Sequence, residues 1–417
     1  MSHIATRERG ARAAASRREM FRALRFRDYR LFWIGQLAAV MGQNMQHIAM
    51  FWLVLELTGS PLLVGLTGLS NAVPGIVFSF LGGALADRTD RRRLLLLAQA
   101  AQAILYLGLG VIVALGLAEV WHAMAFAFFA GLSRAFDEPA RQAYVPHLVP
   151  EEARPHALAL AGTVWQFSRL VGPALAGVLI AAFGVGPTFA VAALGFAICL
   201  VLLWLIQIEQ PAPRPSGRGI MSDLFEGVGF IRRNQLFYTL IGMTFFNSLF
   251  GMSYTVLLPV IARDILQVGS EGYGLLQTSS AVGALAGTLA VAWLADSGRR
   301  GRQAIAGATF FGLLIIAFAF SSWYPLSVAI ILLMGLANQL YMTAVFTILQ
   351  LHLPDELRGR VMGVYGLTWR LTPLGGTVGG TIAEFAGVQA AVAFGGLMVA
   401  GMAVTVALCL PRVRQIQ

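Results

Sequence analysis

The chain has 417 residues, 57% of them hydrophobic and only 12% charged, and its mean hydropathy is +0.72. Soluble globular chains carry about twice that share of charge, so a soluble fold would leave too much apolar surface in water, and a disordered chain is excluded outright. The net charge of +10 comes from 30 basic and 20 acidic residues, and every basic residue is arginine.

Twelve hydrophobic segments are predicted, each near the roughly 20 residues that cross a bilayer as a helix. They cover 31–55, 62–86, 94–117, 120–142, 157–182 and 186–206, then 236–260, 272–295, 303–321, 325–350, 359–385 and 388–410. Residues 1–30 hold nine arginines and no apolar run, so no cleavable signal peptide is expected there. The stretch QPAPRPSGRG at 210–219 cannot build a core. With the amphipathic piece after it, it makes 207–235 a linker between two halves, 31–206 and 236–410, with a tail at 411–417. Cys199 and Cys409 both lie in apolar runs and imply no disulfide framework.

With both ends cytoplasmic, 26 of the 30 arginines fall on the cytoplasmic side, while the opposite side holds Arg263 beside Glu119, Asp264 and Glu271. This is the positive-inside pattern. Topology accounts for the basic balance, and no nucleic-acid partner is expected. An internal repeat is also visible: 149–172 aligns with 353–376 at an offset of 204, pairing Trp165 with Trp369 and Gly172 with Gly376. Upstream the offset is 209, pairing Gly65 with Gly274 and Asp87 with Asp296. Two six-helix halves of like polarity follow the parallel-repeat plan of a transporter.

The loop after the second segment reads GGALADRTDRRRLLLL. It resembles motif A of the major facilitator superfamily through Gly83, Leu85, Asp87, Arg88, Arg91 and Arg92, with Asp90 where the pattern has Gly. The resemblance implies a cluster that latches the outward-facing state; the plainer reading is a positive-inside loop. A degenerate copy, WLADSGRR, occupies 293–300. The wording AFDEPARQAYVPHLVP is similar to the enterobactin-exporter and macrolide-efflux-like branch, a similarity that runs over nearly the whole chain. RLVGPALAG at 169–177 resembles the antiporter motif of drug exporters, with Gly172, Pro173 and Gly177 kept and Ser168 and Ala176 replacing two glycines. Gly172-Pro173 is expected to bend the fifth helix, and Gly177 to admit a close partner.

Polar groups inside the spans are the candidate site. Gln36, Gln43 and His47 fall on one stripe of the first helix, with Asn44 one position round, and should face a central cavity or bond a neighbouring helix. Glu56 lies near the outer end of that helix. Arg134, Asp137, Glu138 and Arg141 share one helical strip; Asp137 is either a structural partner of Arg91 and Arg134 or a proton carrier, and Glu138, His47 and Glu56 are the other candidates for carrying the proton. Trp165, Gln166 and Arg169 sit near the midplane of the fifth segment, and Trp369 and Arg370 at the equivalent depth of the eleventh. Arg134, Arg169 and Arg370 stand against Asp137 and Glu138, which lie nearer the cytoplasmic face, so an electropositive midplane is expected, favouring an acidic or phenolate group, unless the arginines cap internal carbonyls. Asn247, Tyr254, Gln277, Asn338, Gln339 and Tyr341 are candidates for the other walls.

The sequence has no phosphate-binding loop, no zinc-ligand spacing and no nucleophile elbow, so an enzyme, a metal site and a bound cofactor are not expected. The expectation is an all-α polytopic membrane protein, twelve helices in two pseudo-symmetric six-helix bundles. The resemblance implies a monomeric exporter in a bacterial inner membrane, exchanging an amphipathic, siderophore- or drug-like molecule for protons amid membrane lipids. The alternative is a lipid or lysophospholipid translocator of the same fold.

Overall fold

Ser60 and Asp90 show how the sequence starts its helices. The Ser60 hydroxyl accepts from the Leu63 amide at 3.3 Å with Pro61 next in line, and the Asp90 carboxylate accepts from the Arg92 amide at 2.9 Å. Each supplies an acceptor for amides that lack one inside the helix. Asp90, where the superfamily pattern has Gly, is thus the N-cap of the next helix.

The computed structural model describes residues 21–207, 220–294, 300–410 and Arg414. The helices are α1 (Arg27–Thr58), α2 (Pro61–Arg88), α3 (Arg91–Ala114), α4 (Val120–Tyr144), α5 (Arg154–Phe183) and α6 (Val185–Trp204). After them come α7 (Ile220–Arg233), α8 (Gln235–Phe246), α9 (Tyr254–Val260), α10 (Gly269–Leu294), α11 (Arg300–Ala319), α12 (Tyr324–His352), α13 (Asp355–Trp369), α14 (Thr372–Ala386) and α15 (Val388–Cys409). The described residues contain no strand. Predicted span edges agree with these bounds to within a few residues, but two spans expected to be continuous are interrupted. The seventh is α8 and α9 with single-turn π-helices at Asn247–Gly251 and Ile261–Ile265. The eleventh breaks at Arg370–Leu371 between α13 and α14. Pro373 follows that break; it lacks an amide hydrogen and disfavours helix in the residue before it.

Among the described residues, nine spans are long and apolar enough to cross a membrane on length and composition. The three that fall short are α1, α4 and the α13–α14 pair, which carry most of the polar and charged candidates. Polar and charged groups lower the hydropathy of α1 and α4, and the break leaves α13 and α14 at 15 residues each, too short to qualify singly.

In the first half α2 packs on α4, α1 on α5 and α6, and α3 on α4 and α6. In the second, α10 packs on α12, α11 on α12 and α15, and α14 on α15. The halves meet along α5–α10 and α2–α14, two contacts that the repeat makes equivalent. Both rest on glycine. A Cβ at Gly65 would stand 2.7 Å from the Gly376 carbonyl oxygen, and one at Gly274 would strike the carbonyl of Pro173. Gly177 comes as close to Ser270, which is the approach expected of it. Hydrogen bonds reinforce the seam: Thr377 Oγ1 donates to the Gly65 carbonyl at 3.1 Å, Ser270 Oγ to Gly177 at 3.2 Å, and Arg263 Nη1 to Leu55 at 2.8 Å. All of this lies away from the arginine-rich end. Towards that end a Cβ at Gly162, Gly359 or Gly366 would meet nothing within 4 Å. The halves are sealed at one end and parted at the other.

Candidate functional site

From Gly42 to Leu55 every residue of α1 is buried except Gln43, Asn44 and His47. The stripe predicted on this helix is therefore its only open face along these turns. His47 packs against the Phe51 ring at 4.5 Å, and Asn44 Nδ2 bonds back to the Val40 carbonyl at 2.9 Å, one turn up its own helix. Asn44 also takes the close approach of Gly172 from α5. Gln36, expected on the same wall, is 4% exposed and does not reach the cavity. Its Oε1 accepts from Arg141 Nη1 at 2.9 Å, deep between helices. Glu56 accepts from Trp52 Nε1 at 2.5 Å and sits exposed at the sealed end, away from the central charges.

The four charges of α4 do not act as one strip. Asp137, 4% exposed, accepts from Gln99 Nε2 at 2.8 Å and lies 3.7 Å from Arg141. Arg141 also covers the Trp165 ring at 5.2 Å. Asp137 thus pairs with Arg141, where the sequence suggested Arg91 and Arg134. One residue, about 100° of helix, decides it: Asp137 pairs within the first half and Glu138 with the second.

Glu138 accepts from Arg370 Nη2 at 3.0 Å, across the two halves, and Arg370 Nη1 also donates to the Gly75 carbonyl at 3.2 Å. For Arg370 the sequence left two readings, a cationic wall of the cavity or a cap on internal carbonyls. It is neutralised by an acid and caps a carbonyl. A cavity of about 410 Å³ lies here between α2, α4 and the α13–α14 break, lined by Asn71, Gly75, Arg134, Glu138, Trp369 and Arg370 among others.

Two cations remain. Arg134 has a buried Nε with no hydrogen-bond partner among the described residues, and it acts electrostatically on His47 and on Tyr106. The Tyr106 hydroxyl is likewise buried and unpartnered. Arg169 is exposed beside Gln166, acts on Tyr254, and has no ion-pair partner among the described residues. Of the three arginines behind the expected electropositive midplane, Arg370 is paired with Glu138, while Arg134 and Arg169 have no ion-pair partner among the described residues.

Several C-terminal candidates leave the wall. Asn247 is fully buried in its π-helix and accepts from Asn338 Nδ2 at 2.9 Å. Tyr254 and Tyr341 are buried too, with the Tyr254 hydroxyl 3.4 Å from Ser280. They join helices within the second half. Gln277, Asn338 and Gln339 stay half-buried, Gln339 bonding to Thr343 at 3.1 Å. On α3 the sequence reading passed over Gln99, Gln102 and Tyr106. Their i, i+3, i+7 spacing on an apolar helix was the available signal.

In the motif A loop, Arg91 Nη1 lies 2.7 Å from His147 Nε2 and donates to the Ala143 carbonyl at 3.4 Å. Arg92 donates to the last carbonyls of α6, at Leu203 and Trp204. Arg88 is exposed, and a Cβ at Gly83 would meet nothing within 4 Å. The Asp87 side chain and the second-copy Asp296 lie outside the described residues.

A family model described as transmembrane secretion effector matches residues 19–417. The chain is 26% identical over 397 residues to the multidrug efflux pump Tap of Mycolicibacterium fortuitum, covering 93% of this chain and 96% of that protein. It is 25% identical over 368 residues to the staphyloferrin A transporter of Staphylococcus aureus, covering 86% and 90%. Among solved structures, a bacterial homologue of the human lysosomal transporter Spinster, inward-facing and unoccupied, superposes with a TM-score of 0.71 at 14% identity, covering 93% and 96%.

Proposed function

Since the chain belongs to the transmembrane secretion effector family, and with it to the efflux transporters of the major facilitator superfamily, we propose that its cargo is an amphipathic small molecule, siderophore- or drug-like, with an acidic or phenolate group. One observation carries this reading: Arg134 and Arg169 stand in the central region with no acid partner among the described residues, while Arg141 and Arg370 are each matched. A cation taken from bulk water costs several kcal/mol unless water or an anion compensates it. An anionic cargo does so at the centre of the membrane, and Trp165 and Trp369 offer flat apolar surface beside it. The polar lining supports a small-molecule cargo over a lipid.

The arginine-rich face is cytoplasmic in this reading, with both ends of the chain there, so the structure is open to the inside of a bacterial inner membrane. Transport proceeds by alternating access of a monomer, coupled to protons in antiport. Glu138 is the acid best placed to link protonation to the arrangement of the halves, because its partner lies on the other half. Asp137 is enclosed within one half, and Glu56 sits at the far end.

The test is thermal stabilisation of the purified protein by siderophores, macrolides, dyes and lysolipids, repeated on Arg169→Gln. Acidic and phenolic compounds should stabilise the wild type and lose most of that effect in the variant. Stabilisation by cationic dyes alone, unchanged in the variant, overturns the anionic assignment, and stabilisation by lysolipids alone favours the lipid reading.

A further inference from the structure

Arg263 is the one arginine that the positive-inside pattern places at the end away from the arginine-rich face. It stands in the π-helix at Ile261–Ile265, where Asp264 accepts from its Nε at 2.6 Å and from its Nη2 at 3.1 Å. Its Nη1 reaches across the halves to the Leu55 carbonyl at 2.8 Å, near the end of α1. That carbonyl also takes the Gly59 amide at 2.9 Å, the bond that closes the helix.

Just past Gly59, the start of α2 meets a second charge from the same half. Glu384, on α14, accepts from the hydroxyl of the N-cap Ser60 at 2.8 Å and from the Leu62 amide at 3.4 Å. One turn earlier on α14, a Cβ at Gly380 would stand 2.6 Å from the Pro61 carbonyl oxygen, so glycine brings the carboxylate within reach. A helix carries partial negative charge at its last carbonyls and partial positive charge at its first amides. The second half thus sets a cation against the end of α1 and an anion against the start of α2. The repeat has no counterpart to this. At the offset of 209 the position of Arg263 is held by Val54, and at 204 that of Glu384 is held by Ile180, so the first half offers neither charge at the corresponding places.

We propose that Arg263 and Glu384 clasp the α1–α2 corner from its two helix ends and so position the first half for closure away from the arginine-rich face. The clasp rests on the alternating-access reading and does not depend on the identity of the cargo. Opening to that side takes the corner away from the second half and breaks its three cross-half bonds together. They lie at the aqueous end of the molecule, where a charged hydrogen bond is screened and is worth little alone. Two prongs on one corner add, so the closure holds and still yields within a transport cycle.

The experiment uses membrane vesicles holding the full-length protein with Cys409→Ser. Thr278→Cys, whose threonine bonds the Leu170 carbonyl in the far α5–α10 seam, reports opening of the sealed end. Gly366→Cys, in the central cavity, reports access from the arginine-rich side. Each is labelled from its own side by a membrane-impermeant maleimide, in right-side-out or inverted vesicles. Arg263→Gln and Glu384→Gln should each speed labelling of Thr278→Cys about threefold, and the double variant about tenfold. Labelling of Gly366→Cys should quicken in none of them. An unchanged rate at Thr278→Cys in either single variant overturns the two-pronged clasp. A rise at both reporters overturns it too, because that marks general loosening of the fold. Gly274→Leu is the reference for alternating access: if it quickens Thr278→Cys and the clasp variants do not, the clasp fails and alternating access stands. If no variant, the reference included, changes either reporter, alternating access fails and the clasp with it.

Discussion

The Arg370 guanidinium donates to Glu138 at 3.0 Å, joining residues 232 positions apart and on opposite halves of the molecule. Both side chains are about one-third exposed, so the pair is neither a surface contact nor a dry one. It lies beyond the sealed seam, where the halves otherwise begin to part.

Removing either partner should slow transport. Glu138→Gln or Arg370→Gln is expected to lower the initial rate in proteoliposomes about tenfold, about 1.4 kcal/mol in the barrier. The exchange Glu138→Arg with Arg370→Glu should recover part of it. A double variant no faster than the slower single one removes the pair from the transport cycle.

Asp137 should behave differently. Asp137→Ala leaves Arg141, whose side chain is 13% exposed, without its acid and Gln99 without its acceptor. Breaking such a pair costs about 3–5 kcal/mol. The expected result is a large fall in the thermal midpoint and poor recovery from membranes. Normal stability with selective loss of proton coupling would instead make Asp137 a carrier.

Arg169→Ala and Arg134→Gln should weaken transport of anionic cargo more than that of a matched cationic compound. Competition assays on both variants measure the ratio. Equal losses for the two charges would take the electrostatic role away from these arginines.

His147, in the turn after α4, is a pH-sensitive contact of the motif A loop through Arg91. Burial first, then Arg91 and Arg154, hold it below its ordinary value, so it is neutral at neutral pH. Its stabilising contribution is present above the ordinary value of about 6.5 and is lost as pH falls through the lowered one, when a second positive charge meets Arg91. Wild type should lose more thermal stability than His147→Gln between pH 7 and pH 5. Parallel losses would show that other groups dominate.

What the sequence revealed follows the reach of its signals. The stripe at Gln43, Asn44 and His47 was legible because a helix repeats every 100° and little else on α1 is polar. Gln36 obeys the same arithmetic, but Arg141 from another helix claims it, and spacing along one helix does not encode that. The Glu138–Arg370 pair was hidden for the same reason. The break before Pro373 had a local signal in the proline, whereas the π-helix at Asn247, whose side chain bonds Asn338 on α12, had none.

The seam offers one more test. Gly274→Leu places a side chain against the Pro173 carbonyl and Gly177, so the sealed end should stay parted. Thr278, which bonds the Leu170 carbonyl across that seam, should then react as Thr278→Cys at least about tenfold faster with a membrane-impermeant thiol reagent. An unchanged rate would mean the halves close by another route.

Because that closure is made largely of main chain meeting main chain at glycine, it depends on the path of the backbone and not on the shape of what has just been carried. Tolerance of varied cargo and tightness against leakage are then set by different parts of the molecule. The barrier re-forms in the same register whatever the cavity has held.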